Sequence, residues 1–169
     1  MAVPPFRIDQ LGIVVADLDA ALPVYDELLR AESWSIWTYG PHLLHEQTFR
    51  GAPAPFEMRV ALSNGLPVQV ELIEPIGGPN VYDDWLASRG PGLHHLGTFE
   101  SDLPSGRRVM SGLGYAEAQL GLGQGADGTG GFVYFDATRT LGYYLELIER
   151  PGERHPPEAV WRRPAEDEA

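Results

Sequence analysis

The chain has 169 residues, of which 24 are acidic and 12 basic, and it contains no cysteine. All 12 basic residues are arginines, so lysine is missing as well. These absences exclude a disulfide framework, a thiolate-ligated metal, a thiol nucleophile, a lysine Schiff base and a P-loop. The net charge of −12 argues against nucleic acid, which requires a basic face, and against an anionic membrane surface. The length suits one domain, or two small halves on one core, able to bury roughly 70% of the unfolded surface. No apolar run approaches the roughly 18 residues of a membrane span, and the N-terminus carries no signal-like core, so a cytoplasmic protein is expected.

In chain order, residues 7–15 (RIDQLGIVV) read as a strand. Leu18, Ala21, Leu22, Tyr25, Leu28 and Leu29 recur at helical spacing and predict a helix over 19–30. Asp17 or Asp19 can cap it, and Pro23 lies near the first turn, where its missing N–H costs least. Strands are predicted over 33–39, 55–62 and 67–74, the last two joined by the hairpin signal Asn64-Gly65. Residues 76–92 form a linker with a short helix over 81–88, capped by Asn80. The pattern then restarts with a strand over 93–100 and a helix over 103–112 weakened by Gly106 and Gly112. Strands follow over 115–120, 132–135 and 142–149. The segment 152–169 is rich in proline and charge and reads as an extended arm or a disordered tail, with Val160 and Trp161 as its packing contact.

The chain repeats internally. QLGIVVADL (10–18) matches HLGTFESDL (95–103), and ELIE occurs at both 71–74 and 146–149. Each half therefore opens with a strand running into a helix and closes on the same strand ending, which predicts an α+β fold of two βαβββ modules, 7–75 and 93–151. The repeat makes Gln10 equivalent to His95 and Glu71 equivalent to Glu146. Alternation places Gln69 and Ile73 on the face of Glu71, and Tyr144 and Ile148 on the face of Glu146. Taken singly, the glutamates could face solvent, Gln10 could bond an edge strand and His95 could be an ordinary core histidine. Taken together at matched positions on apolar strands, they need partners. Two halves packed about a pseudo-twofold axis would bring them together as oxygen and nitrogen donors fit for one divalent cation.

IDQLGIVVADLDAALPVYDELL, VYDDWLASRGPGLHHLGTFESDL and LGYYLELIERP resemble the vicinal oxygen chelate superfamily, most closely its methylmalonyl-CoA epimerase branch, with glyoxalase I nearby. The resemblance spans about residues 7–151. It implies a cupped mixed sheet around one divalent metal (Zn, Co, Mn, Ni or Mg) held by Gln10, Glu71, His95 and Glu146. The epimerases usually carry His and Gln where this chain has Gln10 and Glu71; the set found here resembles that of eukaryotic-type glyoxalase I. Glu57 aligns with a glutamate that serves the epimerases as a base. The implied chemistry is proton abstraction next to a carbonyl by an isomerase, epimerase or lyase, with Glu146 as ligand and base and Glu57 as the opposite base. The expected partners are a small carbonyl or thioester substrate and a second copy of the chain in a homodimer. Two other readings are a metal-free, antibiotic-sequestering type of binding protein and an extradiol-type dioxygenase; the latter wants two histidines and one carboxylate.

Other signals are weaker. Residues 123–128 match G-x-G-x-x-G, but without a strand and helix on either side they read as a flexible loop or lid. His42 and His45 read as surface or mouth residues. Trp34, Trp37, Tyr39 and Phe56 are candidates for the cavity wall, and Tyr144 for a hydrogen bond to substrate. Arg107 and Arg108 are the local cations a thioester's phosphates would seek, or simply a solvated helix face.

Overall fold

The computed structural model describes residues 6–164. The N-terminal residues 1–5 and the last five residues of the expected tail, 165–169, lie outside the described residues. The elements run β1 (Gln10–Val14), α1 (Leu18–Leu29), β2 (Ser33–Tyr39), β3 (Glu46–Phe49), β4 (Ala52–Pro53), β5 (Glu57–Asn64) and β6 (Gln69–Gly77). They continue as α2 (Val81–Arg89), β7 (Gly92–Glu100), α3 (Leu103–Gly112), β8 (Ala116–Leu122), β9 (Gly131–Asp136), β10 (Tyr144–Glu149) and β11 (Ala159–Trp161).

The strands form one curved mixed sheet in the order β11-β2-β5-β6-β1-β7-β10-β9-β8-β3-β4. Its two halves repeat one pattern. β1 lies parallel to β6 and β7 parallel to β10, and each pair continues through two antiparallel neighbours. The seam is the antiparallel pair β1–β7. Alternation decides which face each strand residue takes. Val70, Leu72 and Ala61 pack under α1, and Leu120, Val133, Leu145 and Leu147 pack under α3, so these helices cover the outer face. Met58, Val60, Leu62, Ile73, Phe132 and Tyr134 line the inner face, where Val81, Tyr82 and Trp85 of α2 join them.

The helix caps follow the sequence. Asp17 accepts the Ala20 N–H at 2.9 Å, and Asn80 accepts that of Asp83 at 2.8 Å. Asp19 instead makes a two-point ion pair with Arg59. Pro23 sits in the second turn of α1, deeper than expected. The β5–β6 hairpin has a four-residue loop beginning at Gly65, where φ is +81°, so Asn64-Gly65 marks its first corner and not the whole turn.

Each half lends a piece to the other's edge. The hairpin β3–β4, turning at Arg50 and Gly51, leaves the first half and pairs with β8 of the second. In return, the chain beyond β10 crosses back, and β11 pairs with β2. The described tail is thus an extended arm with Trp161 packed in the α1 cluster; Val160 is exposed. Both exchanges cover strand edges that would otherwise be open to another chain.

Candidate metal centre

The parallel partners β1–β6 and β7–β10 bring Gln10, Glu71, His95 and Glu146 to the middle of the inner face, all buried and all from one chain. Three oxygens converge on His95 Nε2: Glu146 Oε2 at 3.1 Å, Gln10 Oε1 at 3.3 Å and Glu71 Oε2 at 3.5 Å. Adjacent ligands around a cation bound at about 2.0–2.2 Å lie about 2.8–3.6 Å apart, so these spacings suit neighbours on one ion. Glu71, His95 and Glu146 by themselves meet the geometry of a metal-holding group. Glu146 Oε2 has no hydrogen-bond partner, although it is buried and close to the imidazole. A buried carboxylate oxygen whose nearest partner is an imidazole without a well-aligned hydrogen bond gains from a cation. The donor set fits a divalent metal.

Neighbouring side chains orient these donors. Gln10 Nε2 donates to Gln69 Oε1 at 2.9 Å, which turns the Gln10 oxygen toward His95. His95 Nδ1 lies 3.0 Å from His94 Nδ1. Burial and the charge on His95 push the His94 pKa well below its ordinary value, so its ring is neutral and can accept the His95 Nδ1 proton. Without a metal the charged His95 also directs its Nε2 proton at the carboxylates; once that proton is lost, the Nδ1 bond to His94 leaves the Nε2 lone pair facing them. Consecutive strand residues normally face opposite ways. Here a bulge pairs Gly12 with His95 and Ile13 with Leu93, so His94 is the extra residue and turns to the same side. Sequence reasoning missed His94 for this reason: the His-His doublet was visible, the bulge was not.

Glycines make room for the ligands. Gly12 lies opposite His95 and Gly97 opposite Gln10. A Cβ on Gly12 would fall 1.7 Å from the His95 ring, and one on Gly97 would sit 3.1 Å from Glu146 Oε2 and from the Gln10 Cβ. The repeated Leu-Gly therefore reflects each half yielding space to the other's ligand.

Burial drags the His95 pKa down, but the charges and hydrogen bonds of Glu146 and Glu71 outweigh it and lift the metal-free group to about 9. Burial also raises Glu146, against the pull of His95. Both groups hold protons more tightly folded than unfolded. The contribution of His95 to stability is therefore present below about pH 6.5 and is lost as pH rises through about 9, whereas that of Glu146 is present below about pH 4.5 and is lost as pH rises through its own raised value. In EDTA, the urea midpoint is expected to fall over the His95 window by more than in His95→Gln, and bound metal should remove the difference.

The cavity in front of the ligands is narrow, about 30 Å³. Apolar side chains of Met58, Leu62, Phe99, Phe132 and Ile148 line it, together with Tyr39, Gln69, Gln124, Tyr134 and Arg154. Gln124 belongs to the loop 123–128, so this loop does face the site; Gly125 bridges to Arg154. Sequence reasoning did not single out Arg154, because its segment read only as a tail.

Glu57 is not among the lining side chains. It opens β5 beside a register shift, and its side chain lies against Gly40, next to the cavity-lining Tyr39. Tyr144 stacks on His94 at 4.8 Å and does not line the cavity. Trp34 donates to Asp26 in the outer cluster, and Phe56 packs on Phe132. Neither histidine of the 42–45 stretch lines the cavity; His45 packs against Gly123. Arg107 pairs with Glu117, and Arg108 is exposed beside it.

No helix among the described residues is long and apolar enough to cross a membrane. The chain is similar to the uncharacterised protein YqjC of Bacillus subtilis (strain 168), with 26% identity over 149 residues, 88% of this chain and 96% of that one. Its fold matches a hypothetical protein of Bacillus halodurans at TM-score 0.62 and 17% identity, covering 88% and 97% of the two chains. Streptomyces coelicolor methylmalonyl-CoA epimerase in complex with 2-nitronate-propionyl-CoA matches at TM-score 0.62 and 19% identity, covering 87% and 99%. Methylmalonyl-CoA epimerase from Mycobacterium tuberculosis matches at 0.57 and 22%, covering 89% and 93%. A family model matches residues 9–135, and with it the chain belongs to the glyoxalase/bleomycin resistance protein/dioxygenase superfamily.

Proposed function

We propose that this protein is a divalent-metal-dependent isomerase, epimerase or lyase that moves a proton next to a carbonyl. The observation that carries this reading is the convergence of three buried oxygens on His95 Nε2 at 3.1–3.5 Å. Gln10, Glu71, His95 and Glu146 would hold the metal, with Zn, Co, Mn, Ni and Mg all compatible with such donors. When bound, the cation supplies a Lewis acid for the substrate oxygens and offsets the charge that develops on them.

The residues supply the rest. Glu146 takes the proton. Its pKa is raised by burial, which favours a base over a spectator carboxylate. The Tyr134 ring lies 4.9 Å from that of His95, and its hydroxyl accepts from Tyr82 at 3.1 Å, leaving its own proton free to steady Glu146. Met58, Leu62, Phe99, Phe132 and Ile148 keep water from the reacting carbon. With Glu57 outside the cavity, the counterpart of Glu146 is Glu71, its pseudo-twofold mate across the site. Glu71 and Glu146 are the only carboxylates lining the cavity among the described residues. This arrangement and the Gln-Glu-His-Glu set support a glyoxalase-type proton shuttle over an epimerase that uses Glu57. An extradiol-type oxygenase is disfavoured, because Gln10 stands where a second histidine ligand would be needed and His94 is turned to His95.

Metal analysis of the purified protein should find one divalent ion per chain. In deuterium oxide, a carbonyl substrate should gain deuterium at the adjacent carbon only when the metal is present. A protein that refuses Zn, Co, Mn and Ni would overturn the reading. Ligand-induced stabilisation unaffected by chelator would support a metal-free binding protein instead.

A further inference from the structure

At the mouth of the cavity, one exposed charged group is left unused by the metal site. Arg154 is the only cation lining it among the described residues. Its guanidinium lies 5.2 Å from the Trp37 ring centroid. No described carboxylate pairs with it, although Glu71 and Glu146 line the same cavity. A cation placed to neutralise those carboxylates would contact them.

The backbone around Arg154 is fixed on both sides. Before it, Gly152 donates to Thr129 Oγ1 at 2.8 Å, and the Glu153 carbonyl accepts from Ala126 at 2.8 Å; both partners lie between β8 and β9. After it, the His155 carbonyl accepts from Trp37 Nε1 at 3.0 Å. Glu158 then receives both the N–H and the hydroxyl of Thr38 at 3.0 and 2.9 Å. Arg163, farther on, is tied to the buried Asp26. The segment 151–161 is thus a strap from the second half to the first, and Arg154 sits where it crosses the mouth.

We propose that Arg154 is the anion clamp of this site, and that the substrate is a small carbonyl compound bearing a carboxylate that the guanidinium binds. This rests on the metal-site reading above. Glu71 and Glu146 balance a divalent cation, so Arg154 leaves the cavity one positive charge inside a chain of net −12, which a singly charged acid matches. A planar guanidinium pairs with a carboxylate through two parallel hydrogen bonds, and the Trp37 ring 5.2 Å away attracts its charge. The space under the strap is narrow, about 30 Å³, which limits the substrate to a small compound whose carboxylate stays at the mouth beside Arg154.

The test uses the Mn(II)-loaded full chain and calorimetry with 2-oxo and 3-oxo acids of about three to six carbons, each against its methyl ester, and with inorganic phosphate. At least one acid should bind about 10- to 100-fold more tightly than its ester, the worth of a charge-assisted hydrogen bond. In Arg154→Ala that ratio should fall to about one while Mn(II) affinity is unchanged. Arg108→Ala removes the same charge elsewhere and should keep the ratio. The clamp is overturned if no acid binds, if esters bind equally well, if the ratio survives in Arg154→Ala, or if phosphate outcompetes every acid. Failure to take up Mn(II), Zn(II), Co(II) and Ni(II), seen before any acid is added, overturns the proposed function instead. The ratio is then read on the metal-free protein, where Arg154 must still set it.

Discussion

Glu146→Gln is expected to slow solvent-proton exchange into substrate by about 10³-fold or more, while the chain stays folded. The substitution keeps the shape of the side chain and one oxygen toward the site. It removes the charge that accepts the proton and one of the two negative charges facing the cation. In the metal-free protein the change is expected to be neutral or stabilising, because Glu146 is buried beside Glu71 and one of its oxygens has no hydrogen-bond partner. The diagnostic result is a split: the thermal midpoint without metal equals or exceeds that of the parent, and the rise on adding metal shrinks. A variant that still exchanges deuterium at the parental rate would remove Glu146 from the chemistry.

Gly12→Ala should be more damaging than any other single methyl group added to the sheet. A strand glycine normally loses nothing by becoming alanine, and backbone entropy even favours the change. Here the new Cβ would stand 1.7 Å from His95 Cε1 and 2.0 Å from Nε2. The ring is packed among Tyr134, His94 and the carboxylates and has nowhere to go. The expected cost is about 1–3 kcal/mol of stability, together with loss of metal binding as Nε2 leaves its partners. Gly97→Ala provides the comparison. Its nearest neighbour would be Ile148 Cδ1 at 2.9 Å, the end of a flexible side chain, so a milder effect is expected. Urea midpoints and metal titrations of both variants decide the matter, and equal losses at the two positions would contradict the packing argument.

Much of this architecture can be read from residues whose roles are local. Asp17 and Asn80 announce helix starts because their oxygens satisfy N–H groups three residues on. The ELIE strands announce themselves by alternation, with Val70 and Leu72 under α1 and Gln69 and Glu71 facing the cavity. The repeat then selects the four central residues without any knowledge of distance. What stayed hidden depends on pairing between remote segments. The strand β3, EQTF, has no apolar alternation, and its partner β8 lies in the other half. The bulge at His94 exists only against Gly12 and Ile13. Glu57 follows the alignment of a family motif, but it stands beside a register shift that exists only in the pairing of β5 with β6. Arg154 is unremarkable in a proline-rich tail until the strap carries it over the mouth.

The seam between β1 and β7 has a kinetic consequence. It joins Gln10 to His95 across 85 residues of chain, with a complete βαβββ unit to be built in between. Closing so long a loop comes late, after each half has paired its own strands. The four donors are therefore scattered over separate structures during most of folding and meet only as the seam closes. A cation arriving earlier finds at most two of them. A cation at the proposed site would hold the finished molecule shut without guiding its assembly, and added metal is expected to slow unfolding far more than it speeds folding.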